Sequence, residues 1–267
     1  MPENKISIEN QKAISSHDKN ALLFADRYRL MQSDPYANAF VYGRKKLFEW
    51  LFPYLKKNIP AGAAVLDVGS GTGYLLYEFS KQGYQVTGVE PAPFMRMQAS
   101  LSYPGITVKA GSVNKLEFPD NSFDAVTAIE VFRYLSPEDI RTGYSEILRV
   151  LKPGGVLIAT LVNRYALDGF IFLYYARWLK EKLLGSPLEN YCNFVTPGEM
   201  KRYWQKEFGL TPEMHAVLFA QLRMLYLLSP ALGRWRARKL EKFDDWITAK
   251  PWYRPFAGHL IMIVRKK

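Results

Sequence analysis

The segment Val65-Leu66-Asp67-Val68-Gly69-Ser70-Gly71-Thr72-Gly73-Tyr74-Leu75 places one acid and three glycines where a strand should turn into a helix. Glycines there permit a tight turn and let a ligand approach backbone N–H groups closely. A glycine-rich turn also opens dinucleotide sites, so the acidic neighbour has to discriminate. Asp67 would set a carboxylate beside an incoming pyrophosphate, which Coulomb repulsion disfavours, whereas a ligand carrying ammonium and sulfonium charges suits it. The spacing agrees, because Gly69-x-Gly71-x-Gly73 departs from G-x-G-x-x-G and Tyr74 stands where its last glycine would be. Glu90 closes the run Gln85-Val86-Thr87-Gly88-Val89-Glu90, at about the 20-residue distance from which an acid reaches adenosine ribose hydroxyls.

These residues need a sheet to hold them. From Ala63, short β-rich runs alternate with helical segments as far as Gly155-Val156-Leu157-Ile158-Ala159-Thr160, a pattern that predicts a parallel sheet with helices on both faces. The expected fold class is α/β, a Rossmann-like, mostly parallel seven-stranded sheet. It would carry an N-terminal helical lid and a helical insertion after the fifth strand. Residues 1–60 would be arm and lid, with 1–16 loose and two helices over 17–57. Residues 61–163 would be the ligand-binding core. Residues 164–267 would complete the same domain with the insertion, a basic amphipathic stretch and the final strands. Thr196-Pro197 reads as an N-cap followed by proline at the first helical position, and one long helix is expected from about Gln221 to Trp246.

The ordered series VLDVGSGTGYL, VTGVEPAPFM, LEFPDNSFDAVTAIEVFRYL and EILRVLKPGGVLIAT, over roughly 63–162, resembles the successive motifs of class I S-adenosylmethionine-dependent methyltransferases. Within that family it is most similar to the small-molecule branch containing quinone-biosynthesis enzymes. The resemblance implies S-adenosylmethionine as cofactor. Asp67, Gly69, Ser70, Gly71 and Gly73 would hold its methionyl end, Glu90 its ribose, and Pro91 with Met95 the adenine face. Ser112 stands where the family commonly has an Asp contacting the adenine amine, while the Val113 backbone N–H can still meet that ring. Ile129 would lie near the transferable methyl.

On the acceptor side, Ile129-Glu130-Val131-Phe132-Arg133-Tyr134 replaces the Asn/Asp-Pro-Pro-aromatic box of amino-methyltransferases, which argues against methylation of exocyclic base amines. Many small-molecule relatives have Glu-His near 133–134, so no family histidine carries over. Arg133, Tyr134 and His17 are the catalytic candidates. Tyr28, Tyr36, Phe170, Tyr174 and Trp178 are candidates for an apolar acceptor pocket, although core packing explains such aromatics equally well. Methyl transfer from a sulfonium can rest largely on alignment, with proton removal added for hydroxyl or carbon acceptors. The expected reaction is therefore O- or C-methylation of a small lipophilic or aromatic molecule. The competing readings are an RNA methyltransferase using a basic C-terminal third, and a cofactor-binding partner subunit without chemistry.

The chain has 267 residues, enough for one substantial core with additions rather than two independent domains. Its net charge of +11 is uneven: residues 1–163 hold 18 basic and 16 acidic side chains, and 164–267 hold 18 and 9. Such a surplus suits an acidic ligand, nucleic acid or anionic membrane, or is simply a solvated face. The stretch carrying Arg223, Arg234, Arg236, Arg238, Lys239 and Lys242 among leucines suits an anionic lipid surface. Cys192 is the single cysteine, which precludes an intrachain disulfide, and no ligand-spaced His/Asp/Glu cluster suggests a metal. With no signal-peptide core at its polar N-terminus, a cytoplasmic location is expected, with a peripheral position at the membrane's inner face as an option.

Overall fold

The computed structural model describes residues 7–185, 191–218 and 222–267. The expectations for residues 1–6, the break at Ser186-Pro187, and positions Phe219 and Gln221 fall outside these. Helices α1 (Ile8–Lys19), α2 (Ala21–Ser33) and α3 (Ala39–Asn58) precede the sheet. Then follow β1 (Ala64–Val68), α4 (Tyr74–Lys81), β2 (Gln85–Glu90), α5 (Pro93–Ser102), β3 (Val108–Ala110), β4 (Phe123–Ala128) and α6 (Pro137–Val150). The chain continues through β5 (Leu151–Asn163), α7 (Phe170–Leu183), β6 (Phe194–Val195), α8 (Pro197–Phe208), β7 (Glu213–Val217), α9 (Leu222–Leu228), α10 (Pro230–Thr248) and β8 (His259–Arg265).

The strands lie in the order β3-β2-β1-β4-β5-β8-β7, and the two-residue β6 pairs with the end of β5. Pairing is parallel through β5; β8 runs antiparallel to both β5 and β7. Alternate residues of each strand point to opposite faces, so each face has its own core. Leu66, Val126 and Leu157 pack with Tyr144 and Ile147 of α6 and Trp204 of α8. Val65, Ala125 and Ile158 pack instead with Leu51 and Leu55 of α3 and Phe79 of α4. The order reverses between β1 and β4, and open parallel sheets bind ligands beyond the strand ends at such a switch point.

Three expectations are corrected. The segment expected to be loose is helical from Ile8, because Ser7 caps it by accepting the Asn10 N–H at 3.3 Å. Ile14 then packs against the cluster that contains Met95 of α5, giving three helices before the sheet where two were expected. The long C-terminal helix is two helices: Ser229 caps α10 by accepting the Leu232 N–H, with Pro230 at its first position. The basic face expected there is also thinner. Arg236 is buried against Asp244 and Arg223 turns inward to Asp168, while Arg234 and Arg238 share Asp34, and Arg238, Lys239 and Lys242 stay exposed. The Thr196-Pro197 start is as read: Thr196 and Glu199 form a reciprocal capping box.

Candidate active site

Beyond the ends of β1, β2 and β4 lies a cavity lined by the glycine loop, Glu90, Pro91, Met95, Ser112, Val113 and Ile129, and roofed by α1 and α2. Of the eleven residues expected to hold the donor, nine line it: Gly69, Ser70, Gly71, Glu90, Pro91, Met95, Ser112, Val113 and Ile129. Asp67 and Gly73 do not. Gly73 is at φ +78°, and a Cβ there would come within 3.0 Å of Ala99 Cβ, so this glycine lets α4 pack on α5 rather than meeting a ligand. Asp67 lies beneath the loop, where its Oδ1 accepts from Thr127 Oγ1 at 2.6 Å.

The loop's shape is imposed from two sides. The N–H groups of Gly69 and Ser70 donate to Val89 O at 2.7 and 3.1 Å, fastening the turn to β2. Gly69 sits at φ +69°, and a Cβ there would lie 2.6 Å from Val131 Cγ2. Glu90 accepts from Gly71 N–H through Oε2 and from Ala92 N–H through Oε1, both at 2.9 Å. A carboxylate offers about four acceptor sites, so ribose hydroxyls can still be bound. Burial pushes the Asp67 carboxyl up to about 7, with Glu90 adding to the rise, and burial likewise raises Glu90. Two buried acids without a cation are costly, and a positively charged donor relieves that cost. Ser70 and Thr72 line the same cavity, and their hydroxyls are buried without hydrogen-bond partners. These residues fit S-adenosylmethionine.

A second cavity, of about 510 Å³, adjoins the first. The two share His17, Phe24, Arg44, Glu130 and Tyr134, so these five side chains stand where donor and acceptor would meet. His17 Nδ1 lies 2.7 Å from Ala13 O. A carbonyl only accepts, so Nδ1 carries the proton and the neutral ring keeps its lone pair on Nε2. Burial lowers the His17 pKa, with Arg133 adding to the effect, which favours that neutral ring. The ring stacks on Phe24 at 5.3 Å and meets Tyr134 edge-on at 4.9 Å.

Arg133 Nη1 donates to Glu130 Oε2 at 2.5 Å, and its guanidinium lies over Phe170 and Tyr134. Burial pushes the Glu130 carboxyl up, but His259 and Arg133 outweigh it and hold the group well below its usual range. Glu130 is therefore a fixed negative charge between the cavities. It is one of three non-glycine residues at positive φ among those described.

Tyr28 lines the donor cavity, stacked on Tyr74, while Phe170 and Tyr174 line the second cavity. Tyr36 lines neither; its hydroxyl donates to Glu241 Oε2 at 2.5 Å, tying α10 to the turn before α3. Trp178 is further along α7, beneath Lys182, and does not reach the second cavity. Sequence reasoning gave no role to Thr160, Arg27, Arg44 or Arg177, and named Glu130 only as part of the 129–134 segment. No described group of three or more His, Cys, Asp or Glu side chains is placed to hold a metal.

Residues 66–159 match a family described as a methyltransferase domain. The chain is 27% identical over 186 residues to a ubiquinone biosynthesis O-methyltransferase of Bradyrhizobium, covering 67% of each. It is 36% identical over 124 residues to a demethylmenaquinone methyltransferase of Chlorobaculum tepidum, covering 45% of this chain and 50% of that one. These matches thus span half to two thirds of the relatives' own length. An S-adenosylmethionine-dependent methyltransferase of Thermotoga maritima shares the fold, with a TM-score of 0.56 and 19% identity over 92% of this chain and 96% of that one. Together with the cavity that nine of the expected residues line, these matches support a class I S-adenosylmethionine-dependent methyltransferase similar to those of quinone biosynthesis.

Proposed function

We propose that the protein methylates a hydroxyl of a quinone-type ring acceptor, with His17 as general base. The single observation that carries this reading is His17 at the junction of the two cavities, its Nδ1 engaged by Ala13 and its Nε2 left as the acceptor. When bound, the donor supplies an electrophilic methyl group on a sulfonium that leaves as a neutral thioether. The loop and Glu90 orient that donor, and Tyr134 and Phe170 face the acceptor ring. His17 Nε2 takes the hydroxyl proton as the oxygen becomes nucleophilic. The names of the two relatives support an oxygen- or carbon-methylated quinone precursor, and an imidazole base suits the hydroxyl case.

A lipophilic acceptor fits the outside of the molecule. Phe172, Tyr175, Leu179 and Leu183 on α7, with Leu227, Leu228 and Trp235 on α9 and α10, are exposed, and Lys239 and Lys242 lie close by in sequence. Such surfaces suit peripheral contact with an anionic bilayer. No described helix is long and apolar enough to cross a membrane.

The test is incubation with methyl-labelled donor and a panel of catechols and hydroquinones, with and without a prenyl tail. Label on a ring oxygen, with the demethylated donor as co-product, is expected. No transfer to any phenolic acceptor, while the donor binds, would remove the proposal. Flotation with anionic vesicles at low salt tests the membrane part separately: the protein should float, and an absence of binding would remove that part alone.

A further inference from the structure

The second cavity is unusually rich in arginine. Arg27, Arg44, Arg133, Arg177 and Arg223 all line it, against two carboxylates, Glu130 and Glu181. Arg133 is neutralised by Glu130, and Arg223 Nε lies 3.2 Å from Asp168. Among the described residues, no carboxylate is within ion-pair distance of Arg27, Arg44 or Arg177.

The arrangement holds the charges of Arg27 and Arg44 in place, while Arg177 is exposed. The guanidiniums of Arg27 and Arg44 lie 4.7 and 5.0 Å from the centre of one ring, Phe40, and those of Arg133 and Arg223 lie 4.6 and 4.9 Å from Phe170. Aromatic faces attract cations without cancelling their charge, and leave the N–H edges free to donate. Arg44 Nε is buried and has no hydrogen-bond partner. Burial and the neighbouring positive charges of Arg44 and Arg223 pull the Arg27 pKa below its usual value, so like charges are crowded here. A fold keeps such repulsion where a ligand relieves it.

We propose that this cavity binds an anionic oxygen group of the methyl acceptor, a carboxylate or a phosphate, through Arg27, Arg44 and Arg177. The acceptor's ring then lies between these arginines and the junction at His17, against Phe170 and Tyr134. Planar guanidinium forks match both oxyanions in geometry. The inference rests on the hydroxyl-methylation reading above and narrows its substrate class, from any quinone-type ring to one bearing an acid.

Calorimetry on the full chain saturated with S-adenosylhomocysteine tests this with three probes: catechol, 3,4-dihydroxybenzoate and 3,4-dihydroxybenzyl phosphate. At least one anionic probe should bind about tenfold or more tighter than catechol, and the stronger of the two identifies the oxyanion. The preference should disappear in Arg27→Gln/Arg177→Gln and weaken in Arg177→Gln alone, whose position on α7 is exposed. Unchanged affinity for S-adenosylhomocysteine reports that both variants are folded. Lys57→Gln, an exposed charge change at the end of α3, should keep the preference. Equal binding of all three probes, or a preference that survives the double variant, overturns the inference. Turnover distinguishes the two proposals: methylation of catechol without anion preference leaves the reaction standing and removes the anion site. Anion preference without methylation of any probe does the reverse.

Discussion

The backbone N–H of Glu130 donates to Thr160 Oγ1 at 2.7 Å, and the same hydroxyl donates to Glu130 Oε1 at 3.1 Å. One side chain on β5 thus restrains both the backbone and the carboxylate of a residue at φ +63°. A non-glycine residue in that region stores about 1–3 kcal/mol of strain, so it persists where its surroundings over-determine it. The consequence is positional: Glu130 is set to receive Arg133 on one oxygen and His259 on the other, and so to fix the wall between the two cavities.

Thr160→Val should therefore cost about 1–3 kcal/mol of stability, the penalty for stranding a buried N–H and releasing the carboxylate. It should also lower kcat more than it weakens donor binding, because Glu130 positions the junction rather than the glycine loop. Thr160→Ser keeps both bonds and should restore both properties. Urea denaturation and donor calorimetry on the two variants provide the measurement, and a Thr160→Val protein as stable and active as the parent would contradict the account.

His17 predicts a particular pH profile. Burial holds its pKa below the ordinary 6.5, so the ring is neutral and able to accept a proton at neutral pH. The rate kcat/KM should be flat above that range and fall as pH drops through the lowered pKa, where the base becomes protonated. His17→Ala should lose about a hundred- to ten-thousand-fold in kcat and flatten that limb. The linked stability has the same sign. The unfolded chain binds a proton below about 6.5 that the folded one resists, so His17 destabilises the fold as the solution is acidified. Full activity in His17→Ala would assign proton removal elsewhere.

Asp67 makes a separate prediction, about binding. Burial, reinforced by Glu90, raises its carboxyl to about 7, so the apo protein carries a proton there between about pH 4 and 7 that the unfolded chain has already released. Its contribution to stability therefore falls as pH rises across that window. A cationic donor favours the ionised form, so donor affinity should rise with pH, by at most about tenfold per unit, and level off above about 8. Calorimetry in buffers of different ionisation enthalpy should detect a proton released on binding near pH 6. 5′-Methylthioadenosine, which lacks both positive charges, should show no such step, and Asp67→Asn should remove it for the donor. A step that persists in Asp67→Asn would move the proton to another group.

What was legible in the sequence divides along physical lines. The glycine loop, Glu90 and the strand–helix alternation are local patterns, each fixed by backbone geometry within a few residues, and Gly69, Gly71 and Glu90 from them line the first cavity. Asp67 and Gly73 belong to the same motif, yet one underlies the turn and the other packs helix on helix, and spacing cannot separate touching a ligand from supporting what touches it. The second cavity depends on long-range packing. Arg27, Arg44, Arg177 and Arg223 come from α2, α3, α7 and α9, and no periodicity in a single segment marks them as neighbours. Tyr36 shows the opposite failure: an aromatic near the lid looked available for substrate, but its hydroxyl is committed to Glu241.

The lid's own anchor is open to test. Arg236 and Asp244, both on α10, form a two-pronged buried pair at 2.7 and 2.8 Å, and Tyr42 on α3 donates to the same carboxylate at 2.8 Å. Burial and that carboxylate push the Tyr42 pKa far up, so the hydroxyl remains a donor throughout the working range. Removing one partner strands a buried charge, whereas removing both leaves an apolar gap that neighbours can fill. Asp244→Ala should thus destabilise by about 3–5 kcal/mol, and the pair Arg236→Met/Asp244→Leu by distinctly less. Because α3 also carries Phe40 and Arg44 into the acceptor cavity, the single variant should weaken acceptor binding more than donor binding. Chemical denaturation of the two proteins decides the ordering, and a double variant less stable than Asp244→Ala would show that the ion pair stabilises the fold beyond satisfying its own charges.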